Sequence, residues 1–198
     1  FSRFLEAASF SQAQVLSISA VARECAIHQK VAENYFSILD DLLIAQRLPV
    51  FAKKAKRRLA SHSKFFFFDT GIFKALRPKG PLDSTEEIEG AALETLFFQE
   101  LRAVNHYYGL GYDLYYWRTA AGREVDFVLY GEKGIIAIEI KRKRNHSESD
   151  LKGLRAFAKD YPQAKCYLLC ATDRSEYKGN ITVMPIEQAL RGLKDLLS

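Results

Sequence analysis

The first part of the chain has its apolar side chains at helical spacing. Val31, Tyr35, Leu39 and Leu42 recur every three or four positions within residues 28–45, and this period predicts an amphipathic helix. Residues 17–26 predict a second helix before it, with Ser17 or Ser19 as the candidate cap and a short break after it. An amphipathic turn near the start of the chain adds a third helical segment.

Two apolar stretches that follow these helices have the composition of strands. They cover residues 43–51 and 63–69, and the basic segment "KKAKRR" links them. Two helices joined by a short turn and followed by a two-stranded wing are typical of a winged helix. The run "FFFF" at residues 65–68 predicts a strand that is buried on both sides.

A turn-rich segment, residues 77–87, separates this region from the rest of the chain. It contains two Pro and one Gly, which makes it the best candidate for a linker. We therefore predict a winged-helix domain over 1–76 and a second domain over 77–198. Ser84 and Glu87 have the spacing of a capping box, so a long helix is expected to begin here.

The second half predicts a sheet with helices on its faces. Strands are expected near 113–118, 124–130 and 135–141, then a helix that Pro162 stops, then two more strands and a closing helix. The connection from Lys141 to Lys165 is long enough for a right-handed crossover to a parallel strand. The predicted fold class is α/β (α+β), an N-terminal winged helix followed by a mixed β-sheet flanked by helices.

Composition and charge narrow the classes of protein to consider. The chain has 198 residues, a net charge of +5 and 48% hydrophobic residues, which is a globular composition that mildly favours an anionic partner. Since no apolar run approaches the roughly 20 residues of a membrane span, no membrane association is expected. Three Cys suit a reducing compartment and predict a cytoplasmic protein. The chain begins at Phe1 rather than at Met, which we interpret as a part of a longer protein or a trimmed chain.

Charged side chains interrupt two of the apolar strands. Asp126 lies in one strand and Glu139 in the next, and Lys141 closes the second. If the strands form a hairpin around "GEKG", Tyr130 faces Ile135, and counting back places Asp126 opposite Glu139. A three-residue loop would shift this register by one position and separate the two carboxylates.

Two opposed carboxylates repel each other unless a cation lies between or beside them. Magnesium accepts one or two carboxylates together with waters and phosphate oxygens, and a nearby lysine can stabilise the charge of a phosphoryl transition state. This pattern predicts a phosphodiesterase site. The alternative is a structural ion pair across the strands, in which Lys141 balances Glu139 or Glu124.

The order of these residues resembles a known superfamily. Their spacing resembles that of the PD-(D/E)xK restriction-endonuclease-like fold. Asp126 is followed thirteen residues later by Glu139 and two residues after that by Lys141, and the three lie between a helix and a βα unit. Four longer stretches resemble the uncharacterised C-terminal domain that follows AAA-type ATPase domains in bacteria and archaea: "KFFFFDTGIFKAL", "EGAALETLFFQEL", "YYWRTAAGREVDFVL" and "IAIEIKRK".

The resemblance implies roles for particular residues. It makes Asp126 and Glu139 the metal ligands, Lys141 the catalytic lysine and Glu94 an acidic residue of the preceding helix, with Glu100 as the alternative and a solvated Glu94 as the other reading. Magnesium is the implied cofactor. Val125 departs from the pattern, because nucleases of this type often have Pro there. The chain contains no P-loop motif, so nucleotide binding through a P-loop is not expected.

Two basic segments are candidates for phosphate contacts, with a solvated basic turn as the alternative for each. The predicted nucleic-acid-binding residues are Lys53, Lys54, Lys56, Arg57, Arg58, Arg142, Lys143 and Arg144. Trp117 could stack on a base, although packing in the core is the other interpretation.

Three functions follow from these observations. The first is a magnesium-dependent nuclease domain regulated by an ATPase domain in the full-length chain. The second is a non-catalytic module that binds nucleic acid, with DNA preferred to RNA. The third is a module that docks to the ATPase or makes it oligomeric.

Overall fold

The structure of the protein is a computed structural model that describes residues 1–53, 55, 59, 62–81 and 83–198. Its contacts divide the chain into two compact units. The first comprises Phe1–Pro49 and His62–Gln99, and the second comprises Val50–Ser61 and Glu100–Ser198. The domain boundary after residue 76 stays a prediction, and these units group 50–61 with the second and 77–99 with the first.

The first unit consists of helices and a small antiparallel sheet. Its strands have the order β1-β3-β2, with Arg47 opposite Phe65 in the central pair. The elements are α1 (Ser2–Ser9), β1 (Gln14–Val15), α2 (Ile18–Glu24), α3 (Gln29–Asp41), β2 (Ala45–Leu48), β3 (Lys64–Phe67), α4 (Thr70–Leu76) and the beginning of α5 (Thr85–Tyr107).

The sequence predicted α2, α3 and the two longer strands of this unit, but it missed β1 and α4. Helix α3 is shorter than the predicted 28–45, because Leu43 turns to a positive φ of 57° and ends it. Asp69 starts α4, since its carboxylate accepts hydrogen bonds from the amides of Gly71 and Ile72.

The core of the first unit is mostly aromatic. Phe36 packs edge-on against both Phe4 and Phe65, and Phe65 packs in the same way against Phe67. Three of the four phenylalanines of the "FFFF" run are buried, while Phe68 is 45% exposed. The predicted double burial therefore applies to Phe65–Phe67 only.

The second unit is built on a six-stranded mixed sheet with the order β4-β5-β6-β7-β9-β8. The pairs β4–β5 and β5–β6 are antiparallel, the pairs β6–β7 and β7–β9 are parallel, and β8 pairs antiparallel with β9. The elements are β4 (Asp113–Arg118), β5 (Glu124–Gly131), β6 (Gly134–Lys141), α6 (Lys152–Asp160), β7 (Lys165–Cys170), β8 (Glu176–Lys178), β9 (Ile181–Pro185), α7 (Ile186–Arg191) and α8 (Leu193–Leu196).

The predicted mixed sheet flanked by helices is confirmed, as is the parallel strand after the crossover helix α6. The edge strand β8 was not predicted, because its three residues are too short to show a period. The predicted closing helix is divided at Gly192 into α7 and α8.

One buried cluster joins the sheet to α6. Leu154 and Phe157 of α6 pack with Val128, Ala137 and other apolar residues of the central strands. Phe51 belongs to this cluster, and its ring contacts those of Tyr115 and Tyr161. None of the helices within the described residues is both long and apolar enough to cross a membrane.

Candidate active site

The hairpin β5–β6 has the register that the sequence predicted. Tyr130 lies opposite Ile135, and Gly131 opposite Gly134, so Glu132 and Lys133 form a two-residue loop. The paired positions continue as far as Phe127 and Ile138. One further step along each strand leads to Asp126 and Glu139.

Strand β5 carries a bulge where it reaches Asp126. In the pairing with β4, Tyr115 faces Val128 and Trp117 faces Val125, so three steps along β5 match two steps along β4. The extra residue therefore lies between Val125 and Val128. Bulges re-aim side chains and are common beside functional sites, and this one turns the backbone at Asp126.

Each carboxylate accepts a hydrogen bond from the backbone of the opposite strand. The amide of Ile140 donates to Asp126 Oδ2 over 2.9 Å, and the amide of Asp126 donates to Glu139 Oε2 over 3.3 Å. These two hydrogen bonds connect β5 and β6 beyond the bulge, where the backbone pairing of the two strands ends. They also supply the partners that buried carboxylates need, since only 4% of Asp126 and 7% of Glu139 is exposed.

Lys141 completes the cluster. Its ammonium lies 2.6 Å from Glu139 Oε1, and its side chain is 34% exposed, so the cluster reaches solvent through the lysine. Glu124, the other predicted partner of Lys141, is 3.1 Å from Arg118. Asp126, Glu139 and Lys141, which we call the carboxylate cluster, thus combine two acids with one cation.

The donor set of the carboxylate cluster suits magnesium in type and number. Magnesium is commonly held by one or two carboxylates, with waters and phosphate oxygens as the remaining ligands. Within the part of the chain that the structure describes, no group of three or more Asp, Glu, His or Cys side chains is placed to hold a metal. A cation here would depend on Asp126 and Glu139 alone among such residues.

Helix α6 approaches the sheet closely beside the cluster. A Cβ atom on Gly153 would lie 1.9 Å from the carbonyl oxygen of Glu124, the first residue of β5. Only glycine permits this distance, because any side chain would meet backbone. The helix therefore fixes the start of β5, two residues before Asp126.

Glu94 lies in the first unit, where it faces a buried cation. Lys64 Nζ is 3.6 Å from Glu94 Oε2, and the side chains are 2% and 19% exposed. The solvated Glu94 considered from the sequence is wrong, because the residue is largely buried. Its predicted role beside a metal stays a prediction, as does that of Glu100.

The predicted phosphate-binding residues differ in their surroundings. Lys53 lies over the ring of Tyr130 at 4.1 Å, Lys143 pairs with Asp150 at 2.7 Å, and Arg144 pairs with Asp173. Arg142 is exposed, and no described carboxylate pairs with it. The remaining predicted residues, Lys54, Lys56, Arg57 and Arg58, lie outside the described residues.

Asp150 shows that the pair with Lys143 is more than a surface contact. Burial opposes ionisation of this carboxyl, but Lys143 and the hydrogen bonds from Ser147 outweigh it and hold the pKa of Asp150 below its ordinary value. Lys143 therefore stabilises the loop after β6, and only part of its charge is available to a phosphate.

A cavity of about 500 Å³ lies beyond the carboxyl ends of the parallel strands β6 and β7. This is the edge where open α/β sheets usually bind ligands. Its lining is polar and includes two arginines: Arg144, Asn145, Thr172, Asp173, Arg174, Ser175 and Glu176. Of these residues the sequence indicated only Arg144, because the others belong to no recognisable motif.

Trp117 belongs to the core. It has no exposed surface and packs on Phe157, so the proposed stacking on a base is wrong. Cys166 is also buried, and burial raises its pKa to about 11. Sequence reasoning missed the bulge and the two backbone amides, for which a linear pattern contains no signal.

Comparisons with known proteins place the chain among uncharacterised relatives and name no activity. The chain is 27% identical over 184 residues to two uncharacterized proteins, Mb2031c of Mycobacterium bovis and Rv2008c of Mycobacterium tuberculosis. The match covers 89% of this chain and 40% of each relative, so the chain spans less than half of their length. No solved structure matches.

Two family models match in succession along the chain. A domain of unknown function (DUF8612) matches residues 1–83, and another domain of unknown function (DUF4143) matches residues 89–189. Since the second match covers half of the chain, the chain belongs to the DUF4143 family.

Proposed function

We propose that the second unit is a magnesium-dependent nuclease domain of the PD-(D/E)xK type and that it acts on DNA in preference to RNA. The observation that carries this proposal is the carboxylate cluster. Asp126 and Glu139 are buried on neighbouring strands and linked by a hydrogen bond, and Lys141 is 2.6 Å from Glu139. Two adjacent carboxylates are a ligand set that magnesium accepts, and a bound cation would relieve the repulsion between them.

The residues of the cluster would divide the work of phosphodiester hydrolysis. Asp126 and Glu139 would hold magnesium, which when bound lowers the pKa of a coordinated water and polarises the phosphate. The two backbone amides keep the carboxylates oriented, and the ammonium of Lys141 would offset charge that develops on the phosphate. Glu94 remains a candidate for a further role in this site.

The polar cavity beside β6 and β7 supports a nucleic-acid substrate. Arg144 and Arg174 line it, and Arg142 is exposed one residue after Lys141. Cations that follow a strand end are suited to contact a phosphate backbone. The first unit supports the same reading, because its helices and β1-β3-β2 sheet have the element order of a winged helix.

An ATPase domain in the full-length chain is the proposed partner. The resemblance noted in the sequence implies it, and the curated relatives extend well beyond the matched segment. An oligomeric ATPase would bring several copies of this domain together.

The test is a cleavage assay with plasmid DNA, single-stranded DNA and RNA in magnesium or manganese. The 198-residue chain and the full-length protein are compared, and we expect the full-length protein to be the more active. Glu139→Gln and Asp126→Asn should each reduce cleavage at least about a hundredfold. Asp113→Asn removes an exposed carboxylate from the same sheet and should leave cleavage unchanged.

Cleavage that persists in both cluster variants would overturn the proposal, as would the absence of cleavage in every form of the protein. The second result would favour a structural role, for which there is a specific observation. The amides of Ile140 and Asp126 give each carboxylate a backbone partner, so the cluster could instead fasten the two strands of a non-catalytic binding module.

A further inference from the structure

Helix α3 ends with an unusual residue in a common motif. The amide of Leu43 donates to the carbonyl of Asp40, and the amide of Ile44 donates to that of Leu39, both over 3.0 Å. These are the two bonds of a Schellman motif. The residue after the helix cap then has a positive φ, which is 57° for Leu43. Glycine normally occupies this position because a side chain destabilises it.

The side chain at this position is also exposed. Leu43 is 71% exposed and Leu42 61%. Ile38, one helical turn before Leu42, is 43% exposed. Phe68 is 45% exposed, and its amide donates to the carbonyl of Ile44 over 2.7 Å, so it lies beside the same turn. Ile38, Leu42, Leu43 and Phe68 form what we call the apolar patch.

Leucine at position 43 does not stabilise the fold. A leucine with positive φ is less stable than a glycine, and its exposure gives no burial in return. An unfavourable backbone conformation at an exposed apolar residue points to a role outside folding.

The charges around the apolar patch are acidic. Asp40 and Asp41 lie between its helical residues, and Asp69 follows Phe68. Residues 38–44 and 68–70 contain no Lys or Arg in a chain whose net charge is +5, and the nearby Arg47 is paired with Asp40 at 2.8 Å. Acids beside an apolar surface repel phosphate and attract cationic groups.

We propose that the apolar patch is a docking site for a basic amphipathic helix of a partner protein. Its aliphatic side chains would cover Leu42 and Leu43, and its Lys or Arg residues would meet Asp41 and Asp69. This inference goes beyond the nuclease proposal and does not depend on it. It assigns the second helix of the predicted winged helix a protein partner at its carboxyl end.

The test measures the stability of the protein and its binding of a peptide in the same variants. The probe is a fluorescent helical peptide in which Leu forms one face and Lys the other. Leu43→Gly should raise the melting temperature, because glycine accepts the positive φ, and should weaken peptide binding at least about tenfold. Leu43→Asn, which also tolerates this conformation, should behave in the same way.

Helix α2 provides a matched control. Its Schellman motif has the same two hydrogen bonds, from Ala26 to Arg23 and from Ile27 to Ala22, and Ala26 has a φ of 54°. Ala26→Gly should therefore raise the melting temperature as Leu43→Gly does, while peptide binding stays at the level of the parent. A purely structural role for Leu43 would make the two variants alike in both measurements.

Three results would overturn the proposal. Leu43→Gly could bind the Lys peptide as tightly as Ala26→Gly does. A peptide with Glu in place of Lys could bind equally well, which would remove the charge preference. The parent could self-associate in sedimentation while Leu43→Gly does not, in which case a second copy of the chain covers the patch.

Discussion

The two units arrange their buried charges differently. In the first unit, the ammonium of Lys64 on β3 is 3.6 Å from the carboxylate of Glu94 on helix α5. In the second unit, the ammonium of Lys141 is 2.6 Å from Glu139, and the amide of Asp126 donates to the same carboxylate. The first arrangement joins a strand to a helix, whereas the second brings two carboxylates together on neighbouring strands.

This difference points to two uses of buried charge. An acid and a base on neighbouring elements offset each other's charge. Two adjacent carboxylates repel each other, and an added cation relieves that repulsion. We therefore propose that the first arrangement serves the fold and that the second holds a divalent cation.

The largest loss of stability is expected when the pair of Lys64 and Glu94 is broken. Lys64→Met should lower the free energy of unfolding by about 3 kcal/mol, since it takes the cation from a largely buried carboxylate. Denaturant unfolding measures this loss. Replacing Glu94 by Leu in the same chain should recover most of it.

Lys74 and Glu89 provide the exposed control in the same unit. Their side chains are 35% and 34% exposed at a separation of 2.9 Å. Lys74→Met should cost less than about 1 kcal/mol, because solvent screens the pair. Equal losses for Lys64→Met and Lys74→Met would show that burial does not determine how much the pair of Lys64 and Glu94 contributes to stability.

Removing the lysine of the carboxylate cluster should have a smaller effect than removing Lys64. Lys141→Met leaves Asp126 and Glu139 with their backbone amides, and Lys141 is already 34% exposed, so a loss of about 1–2 kcal/mol is expected without metal. Magnesium should restore more stability to this variant than to the parent, because the variant lacks the ammonium that lies beside Glu139. A loss that magnesium does not reduce would contradict the comparison.

Removing one acid should act in the opposite direction. Asp126→Asn keeps an oxygen that can accept from the amide of Ile140 while it removes one of two neighbouring negative charges. We expect the metal-free protein to become more stable by about 0.5–1 kcal/mol. A strong loss of stability in thermal unfolding would instead show that the charge itself serves the fold.

The smallest effect concerns the contacts with nucleic acid. Arg142 is exposed without a described carboxylate beside it, whereas Arg144 is paired with Asp173. Arg142→Ala should lower the slope of log affinity against log salt by roughly 0.9, the value for one lost phosphate contact. Arg144→Ala should change the slope less. Equal changes would show that the ion pair with Asp173 does not keep Arg144 from contacting phosphate.

Much of the carboxylate cluster could be predicted because the hairpin is local. The symmetric turn at "GEKG" determines the register as far as Phe127 and Ile138, and the next residue of each strand is Asp126 or Glu139. The bulge between Val125 and Val128 could not be predicted, since it depends on how β4 pairs with β5. The place of Phe51 in the second unit has no local signal either, because this residue packs on later aromatic residues through contacts distant in sequence.

Helix ends were predicted less well than helix positions. The apolar period of α3 continues to Leu42, so the sequence extends the helix to residue 45. The structure ends it at Asp41 because Leu43 adopts a conformation that leucine rarely has. Composition does not predict a leucine at a position with positive φ, and Leu43 therefore draws attention to the apolar patch.

The most direct test of the central claim, that the carboxylate cluster binds a divalent cation, is the melting temperature of the parent and Asp126→Asn as magnesium is added. Binding to the folded state alone stabilises by about 1.4 kcal/mol at ten times the dissociation constant, which corresponds to about 3–6 °C for a chain of this size. The account predicts this rise for the parent and none for Asp126→Asn. An equal rise in both proteins, or none in the parent, would contradict it.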